Sequence, residues 1–305
     1  MPKGRIYPAA IPGKAYLCGM NRVYITECPR DAMQGLHDFI PTEVKVAYLQ
    51  TLLSAGFDTL DFGSFVSPKA IPQMADTAQV LEQLDLSQTN TQLLAIVANV
   101  RGAQDACGFD HIRFLGYPFS ISETFQQRNT NASIDESLLR VEEIQQLCAK
   151  HGKEPLIYIS MAFGNPYGDA WAPEIAAVWT ERLHRELEIK HIALADTIGV
   201  SDPANITALF SELIPAFPGC TIGAHLHTTP LTWREKVDAA YQAGCRYFDG
   251  ALKGFGGCPM AKDDLTGNMP TELMLDYFDE AGAQHGVNST ILAEALRQTN
   301  QVFPL

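Results

Sequence analysis

Two histidines one residue apart end the apolar run Thr221-Ile222-Gly223-Ala224-His225-Leu226-His227. In a strand, residues i and i+2 point to the same face, so the two imidazoles project side by side. That spacing suits two adjacent sites on one small metal ion. The plain alternative is a pair of solvated or core histidines, and it weakens only if other polar residues converge on the same place. With one carboxylate and one amide oxygen, two histidines give mixed nitrogen and oxygen ligation. Such a set fits a labile divalent ion, Mg2+ or Mn2+, with Zn2+ or Co2+ as further options. Arg30, next to Asp31, is a planar and permanently charged donor of the kind that steadies a developing oxyanion such as a thioester enolate. The plain alternative for Arg30-Asp31 is a surface ion pair of little worth. Cys258 lies in Gly254-Phe255-Gly256-Gly257-Cys258-Pro259, a glycine-rich composition that exposes a thiol and lets it give or take a proton once the loop closes over substrate. Together these groups suit chemistry at a carbon–carbon bond.

Apolar strand-like runs recur at Val23–Glu27, Thr59–Phe62, Gln92–Val97, His111–Leu115, Leu156–Ser160, His191–Ala195, Thr221–His225 and Tyr247–Ala251. Helix-period segments alternate with them, at Thr42–Ala55 with Thr42 as N-cap, and at Ile134–His151, Pro173–Leu187, Pro203–Phe217 and Thr232–Ala243. This alternation predicts a (β/α)8 TIM barrel with a divalent-metal site at its C-terminal rim. Residues 1–21 read as an irregular arm, and 22–305 as a single catalytic barrel with a C-terminal helix. A doubly wound open sheet is the other candidate, but no Gly-x-Gly-x-x-Gly follows the first strand. Barrel chemistry belongs at the C-terminal ends of strands. Arg30 and Asp31 follow the first strand, Asp61 ends the second, Asn99 follows the third, Asp196 ends the sixth, and the histidines end the seventh. Taken singly each has an ordinary explanation, such as a cap for Asp196 or a lysine partner for Asp61.

The 305 residues are 46% apolar and 19% charged, enough for a large core. A formal charge of −13 argues against nucleic acid or an anionic membrane as partner, since both require clustered Lys and Arg. No run is long enough to span a bilayer, and the first twenty residues lack the continuous apolar core of a signal peptide. The seven cysteines are scattered and form no Cys-x-x-Cys pair, which is the usage of a reducing compartment. A cytoplasmic protein is expected.

Pro29-Arg30-Asp31 with Gln34, Ser64-Phe65-Val66-Ser67-Pro68-Lys69 and Pro72-Gln73-Met74 resemble the 3-hydroxy-3-methylglutaryl-CoA lyase family. Glu123-Thr124-Phe125 with Asn129 and Asn131-Ala132-Ser133-Ile134, then Phe163-Gly164-Asn165-Pro166-Tyr167, are similar to that family's fourth and fifth loops. Asp196-Thr197-Ile198-Gly199-Val200, His225-Leu226-His227, Gly256-Gly257-Cys258-Pro259 and Gly267-Asn268 complete the order. The resemblance implies a barrel that cleaves a branched 3-hydroxyacyl-CoA thioester by a retro-Claisen reaction, giving acetyl-CoA and a keto acid, acetoacetate in the parent case. It implies Asp31, His225, His227 and Asn268 around the ion, Arg30 on the enolate, Cys258 as loop acid/base, and Asp196 in support of the histidines or the substrate. Asp31 or His225 would take the hydroxyl proton. Gln34, Thr26, Asp61 and Asn99 stand as substrate-side candidates, and the family resemblance implies a homo-oligomer.

The chain departs from the family pattern at Thr26 and Asp61, where glutamates are usual, and at Thr228, where an aspartate is. Neighbouring Glu27 does not replace the first, because a shift of one along a strand faces the other way. Two further readings use the same residues: a Claisen-condensing synthase of the same superfamily, and a barrel that binds metal and ligand without turnover. An amidohydrolase fits less well, since its His-x-His pair belongs to the first strand.

Overall fold

Each apolar run pairs in parallel with the next, and the last returns to the first. The strands are β1 (Tyr24–Glu27), β2 (Thr59–Ser64), β3 (Gln92–Ile96), β4 (Ile112–Ser120), β5 (Glu154–Ser160), β6 (His191–Asp196), β7 (Thr221–Thr228) and β8 (Tyr247–Gly250). Pairing follows chain order, and β8 hydrogen-bonds to β1 with Thr26 opposite Asp249, so the sheet closes on itself as a (β/α)8 TIM barrel. This computed structural model describes residues 21–257 and 266–303. Cys258 and all but the last residue of the expected arm lie outside the described residues.

Around the barrel run α1 (Pro29–Gln34), α2 (Thr42–Ala55), α3 (Thr77–Gln83), α4 (Val100–Cys107), α5 (Glu123–Thr130), α6 (Ile134–His151), α7 (Pro173–Leu187), α8 (Pro203–Ala216), α9 (Trp233–Gln242), α10 (Thr271–Glu280) and α11 (Ser289–Val302). Helix α6 starts where its sequence says, with Ser133 and Glu136 forming a reciprocal capping box. The main core lies between sheet and helices, where side chains such as Leu49, Leu52, Phe210, Phe248 and Phe278 are wholly buried. Each contributes on the order of 1.5–3 kcal/mol by leaving water. A second, smaller cluster of Leu94, Ile96, Tyr158 and Ala193 fills part of the barrel interior. Helix α11 packs on α2, and the Asn288 N–H donates to the Ala55 carbonyl at 2.8 Å. No helix among the described residues is long and apolar enough to cross a membrane. Cys28, Cys107, Cys148, Cys220 and Cys245 are all free thiols.

Three local differences from the sequence reading bear on the site. Strand β4 continues to Ser120, although Gly116 and Pro118 look like breakers. Gly116 is needed there because a Cβ would come within 2.4 Å of Cδ1 of Ile96, its pairing partner on the adjacent strand β3. Strand β7 continues through both histidines to Thr228, because a two-residue strand β9 (Gly267–Asn268) pairs with it antiparallel and sets Asn268 opposite His227. Thr42 opens α2 without capping it, its hydroxyl donating instead to Asp76 at 2.8 Å, while Pro41 occupies the cap position.

Candidate active site

Pro29 begins α1 directly after β1, and its fixed φ suits the first turn of a helix. The result is that Arg30 and Asp31 are fixed at the C-terminal rim, 7% and 8% exposed. Arg30 is held from three sides. Its Nε and one terminal nitrogen donate to the Asp61 carboxylate, the shortest contact being 2.6 Å, and its other terminal nitrogen donates to Asp31 at 3.0 Å and Gln34 at 2.8 Å. A guanidinium has five N–H donors, so one hydrogen on the Asp61-facing nitrogen is left for a ligand. Asp61 therefore stands behind Arg30 and does not line the substrate pocket. Burial pushes the Asp61 carboxyl up, to about 6, against the pull of Arg30.

Asp31 accepts from Arg30 and from Gln34 Nε2 at 2.7 Å on one oxygen, and from Asn268 Nδ2 at 2.8 Å on the other. Burial alone would raise its carboxyl, but Arg30 and then the two histidines hold it at about 2. Asp31, His225 and His227 each place a ligand atom so that all lie within 4.8 Å of one another. Asn268 donates its second N–H to the Phe255 carbonyl at 2.8 Å, which leaves its amide oxygen as an acceptor beside Asp31.

His227 shows what this cluster is for. Its Nδ1 is 2.9 Å from the Thr197 carbonyl, which can only accept, so Nδ1 carries the hydrogen and Nε2 has a bare lone pair. That Nε2 is buried and has no hydrogen-bond partner among the described residues. Burial, reinforced by His225, lowers the His227 pKa to about 4, so the ring is neutral near neutral pH. A buried, unpartnered imidazole lone pair beside a carboxylate and a second imidazole is a metal-ligand geometry. His225 Nδ1 donates to Asp249 at 3.1 Å. Burial would lower its pKa, yet the Asp249 hydrogen bond and charge raise it.

Asp196 contributes from a distance. It is 1% exposed and accepts from the Ser201 hydroxyl at 2.5 Å, the Val200 N–H at 2.8 Å and Lys236 Nζ at 2.8 Å. Lys236 also donates to the His227 carbonyl at 2.9 Å, so Asp196 fixes the loop and strand that carry His227 without touching either ring. Two substrate-side expectations fall elsewhere. The Asn99 side chain caps α4, accepting from the Gly102 N–H at 2.9 Å, and the neighbouring Ala98 lines the pocket. Thr26 faces a cavity at the other end of the barrel, because β1 is four residues long and Thr26 lies below its rim end. Glu27 points outward, as its register requires, and its buried carboxyl group accepts from the Leu252 N–H at 2.9 Å and the Thr271 hydroxyl at 2.6 Å. Thr228 donates to the Asn268 carbonyl at 3.2 Å, tying β7 to β9.

The site opens into a pocket of about 370 Å³ whose polar side holds Arg30, Asp31, His225 and His227, and whose apolar side includes Val66, Ile71 and Phe125. The glycine loop closes one edge. At Gly256 (φ +87°) a Cβ would lie 2.8 Å from Ala32 Cα and 2.9 Å from the Asp31 carbonyl oxygen, so only glycine lets the loop lie on α1. The sequence reading missed Asp249 and Tyr158. The signal for Asp249 was a carboxylate inside a short barrel strand, Tyr247-Phe248-Asp249-Gly250, where a strand-end carboxylate elsewhere was taken up.

The HMGL-like family model matches residues 22–299. The chain belongs to the HMGL-like family. It is 33% identical to the bovine mitochondrial hydroxymethylglutaryl-CoA lyase over 269 residues, 88% of this chain and 81% of that one. It is 31% identical to the (R)-citramalyl-CoA lyase of Chloroflexus aurantiacus over 288 residues, 90% of this chain and 89% of that one. The fold superposes on an HMG-CoA lyase from Acinetobacter baumannii, solved with coenzyme A and 3-methylmalate, with a TM-score of 0.84 at 26% identity, covering 93% of this chain and 92% of that one. As a member of the HMGL-like family, this chain is a carbon–carbon lyase.

Proposed function

We propose that the chain cleaves a branched 3-hydroxyacyl-CoA thioester by a metal-assisted retro-Claisen reaction, with 3-hydroxy-3-methylglutaryl-CoA as the leading substrate and acetyl-CoA and acetoacetate as products. The observation that carries this is the bare, buried Nε2 of His227 beside His225 and Asp31, the latter hydrogen-bonded to an arginine with one N–H to spare. Asp31, His225, His227 and Asn268 would hold a divalent ion, Mg2+ or Mn2+ by the oxygen-rich part of the set, with Zn2+ or Co2+ also compatible with the histidines. When bound, the ion supplies Lewis-acid polarisation of the substrate's hydroxyl and carbonyl oxygens.

The protein's own groups do the rest. Asp31 already accepts three hydrogen bonds and is held at about 2, which makes it a poor base. His225 donates from Nδ1 to Asp249 and would give its other nitrogen to the ion, which fixes the ring and leaves it no lone pair for a proton, so the hydroxyl proton passes to water. As the C2–C3 bond breaks, its electron pair moves into the thioester, and Arg30 donates to the enolate oxygen. Cys258, which lies outside the described residues, gives a proton to the enolate carbon. The apolar wall of Val66, Ile71 and Phe125 excludes water from that carbon. We further propose that the enzyme works as a homo-oligomer in the cytoplasm.

The test is a panel of branched 3-hydroxyacyl-CoA thioesters, 3-hydroxy-3-methylglutaryl-CoA and citramalyl-CoA among them, incubated with Mg2+ or Mn2+ and read by mass spectrometry of the products. Release of acetyl-CoA with acetoacetate from the first supports the reading. Cleavage of citramalyl-CoA alone would move the substrate, condensation alone would make it a synthase, and no product from any thioester would leave a binding protein.

A further inference from the structure

Below the rim site, at the centre of the barrel, a second set of ligand atoms converges. Cys28 Sγ, the His225 ring and the Asp249 carboxylate lie within 4.8 Å of one another. Cys28 is wholly buried at the junction of β1 and α1, and Asp249 reaches it from the adjacent strand β8. The His225 nitrogen on this side is Nδ1, 3.1 Å from Asp249. The proposed reaction makes no use of Cys28.

A second observation lies beside His225. The Tyr158 hydroxyl is buried without a hydrogen-bond partner among the described residues, and the residue is 7% exposed. Its ring stands edge-on to His225 with centroids 5.3 Å apart. A buried hydroxyl without a partner is destabilising, and a cation or its water would give this one a partner. Access comes from the end of the barrel away from substrate. A cavity of about 610 Å³ opens among the first residues of the strands, including Tyr24, Thr59 and Tyr247, and reaches Thr26 and Asp249.

We propose that Cys28, His225 and Asp249 form a second divalent-ion site, selective for a thiophilic ion of the Zn2+ or Cd2+ class and completed by the Tyr158 hydroxyl or a water. The donor set decides the class: one sulfur, one imidazole nitrogen and one carboxylate suit a borderline or soft ion, whereas Mg2+ and Mn2+ favour the oxygen-richer rim set. Binding breaks the Cys28 S–H bond, the sulfur lone pair passes to the ion and the proton goes to water. When the rim site is also filled, His225 Nδ1 would likewise give up its proton to water. No electron is transferred. Asp249 then no longer accepts from His225.

Cd2+ alone is the probe, added to full-length protein freed of metal by a chelator and followed by binding stoichiometry and the ultraviolet thiolate-to-cadmium band. We expect two ions per chain, with a thiolate band that survives Cys258→Ser. Cys28→Ser should remove that band and keep one ion, and Asp249→Asn should weaken the thiolate-linked ion by about 10-fold or more. One ion per chain in the wild type, or a band unchanged by Cys28→Ser, would overturn the site. If Cys28→Ser does not fold, cadmium-113 NMR of the Cys258→Ser protein decides. Two resonances, one at a sulfur-ligated shift, support the site, and a single resonance or the absence of a sulfur shift refutes it. None of these readouts needs turnover, so two-ion binding in a chain that cleaves no thioester would defeat the proposed function and leave this site standing.

Discussion

Arg30→Lys keeps the positive charge and removes the fork. In the wild type, four of the five guanidinium donors are committed to Asp61, Asp31 and Gln34, and the remaining one is aimed by that scaffold. An ammonium has three donors on a single atom and cannot meet Asp61, Asp31 and an enolate oxygen together. Losing one oxyanion donor costs about 2.7–4 kcal/mol in the transition state, or about 10²–10³ in kcat. A stability cost comes with it, because Asp61 is 1% exposed and would keep only a single-point contact. Removing a buried partner outright costs about 3–5 kcal/mol, and the retained charge should keep the loss below that. The assay is steady-state cleavage of 3-hydroxy-3-methylglutaryl-CoA with saturating Mn2+, alongside thermal unfolding of both proteins. The expected result is a fall in kcat of about 10²-fold or more with little change in KM. A raised KM with kcat nearly intact would refute the argument, since it would mean that Arg30 only binds the ground state.

His227→Ala deletes the bare nitrogen that marks the rim site, and calorimetric titration with Mn2+ should show at least about 10-fold weaker binding while the fold persists. Unchanged affinity would remove His227 from the ligand set. Glu27 gives a pH prediction. Burial raises its carboxyl to about 8, so the folded chain holds a proton that the unfolded chain has released. Its contribution to stability is therefore full below the ordinary glutamate pKa and is lost as pH rises through about 8. Glu27→Gln should remove that dependence, so denaturant unfolding should show the variant gaining on the wild type between pH 5 and pH 8, by up to about 1.4 kcal/mol per pH unit. Parallel stability curves would show that Glu27 is not protonated in the fold. Gly256→Ala places a Cβ 2.8 Å from both Ala32 Cα and Asn268 Nδ2 at a positive φ. It should destabilise the chain by about 1–3 kcal/mol and weaken Mn2+ binding, and a variant that matches the wild type in both would show that the loop does not rest on α1.

The barrel was legible because periodicity and burial report the same thing: a βα alternation with apolar strands leaves few other ways to bury them. Most rim residues were legible for a topological reason, since strand ends converge whatever the side chains do next. What sequence does not encode locally is the partner of each side chain. Asn99 stands at the rim as expected, yet the unsatisfied N–H groups at the start of α4 claim its oxygen. Asp61 is in the site, but its short side chain ends on Arg30, and Asp196 acts through Lys236, a lysine 40 residues away that no motif signals. Asp249 went unread because its importance comes from the strand beside it, where His225 turns Nδ1 toward it. Strand β9 is too short to show a period, although it is what sets Asn268 against His227.

The central claim is that a divalent ion held by Asp31, His225 and His227 beside Arg30 drives cleavage of a carbon–carbon bond. The most direct measurement follows 3-hydroxy-3-methylglutaryl-CoA by product-resolved mass spectrometry, with chelated protein, the same protein reloaded with Mn2+, and reloaded His227→Ala side by side. The account predicts equal amounts of acetyl-CoA and acetoacetate from the reloaded wild type alone, and almost none from the other two. Equal turnover in chelated and reloaded protein, or free coenzyme A with the intact branched acid in place of those products, would contradict it.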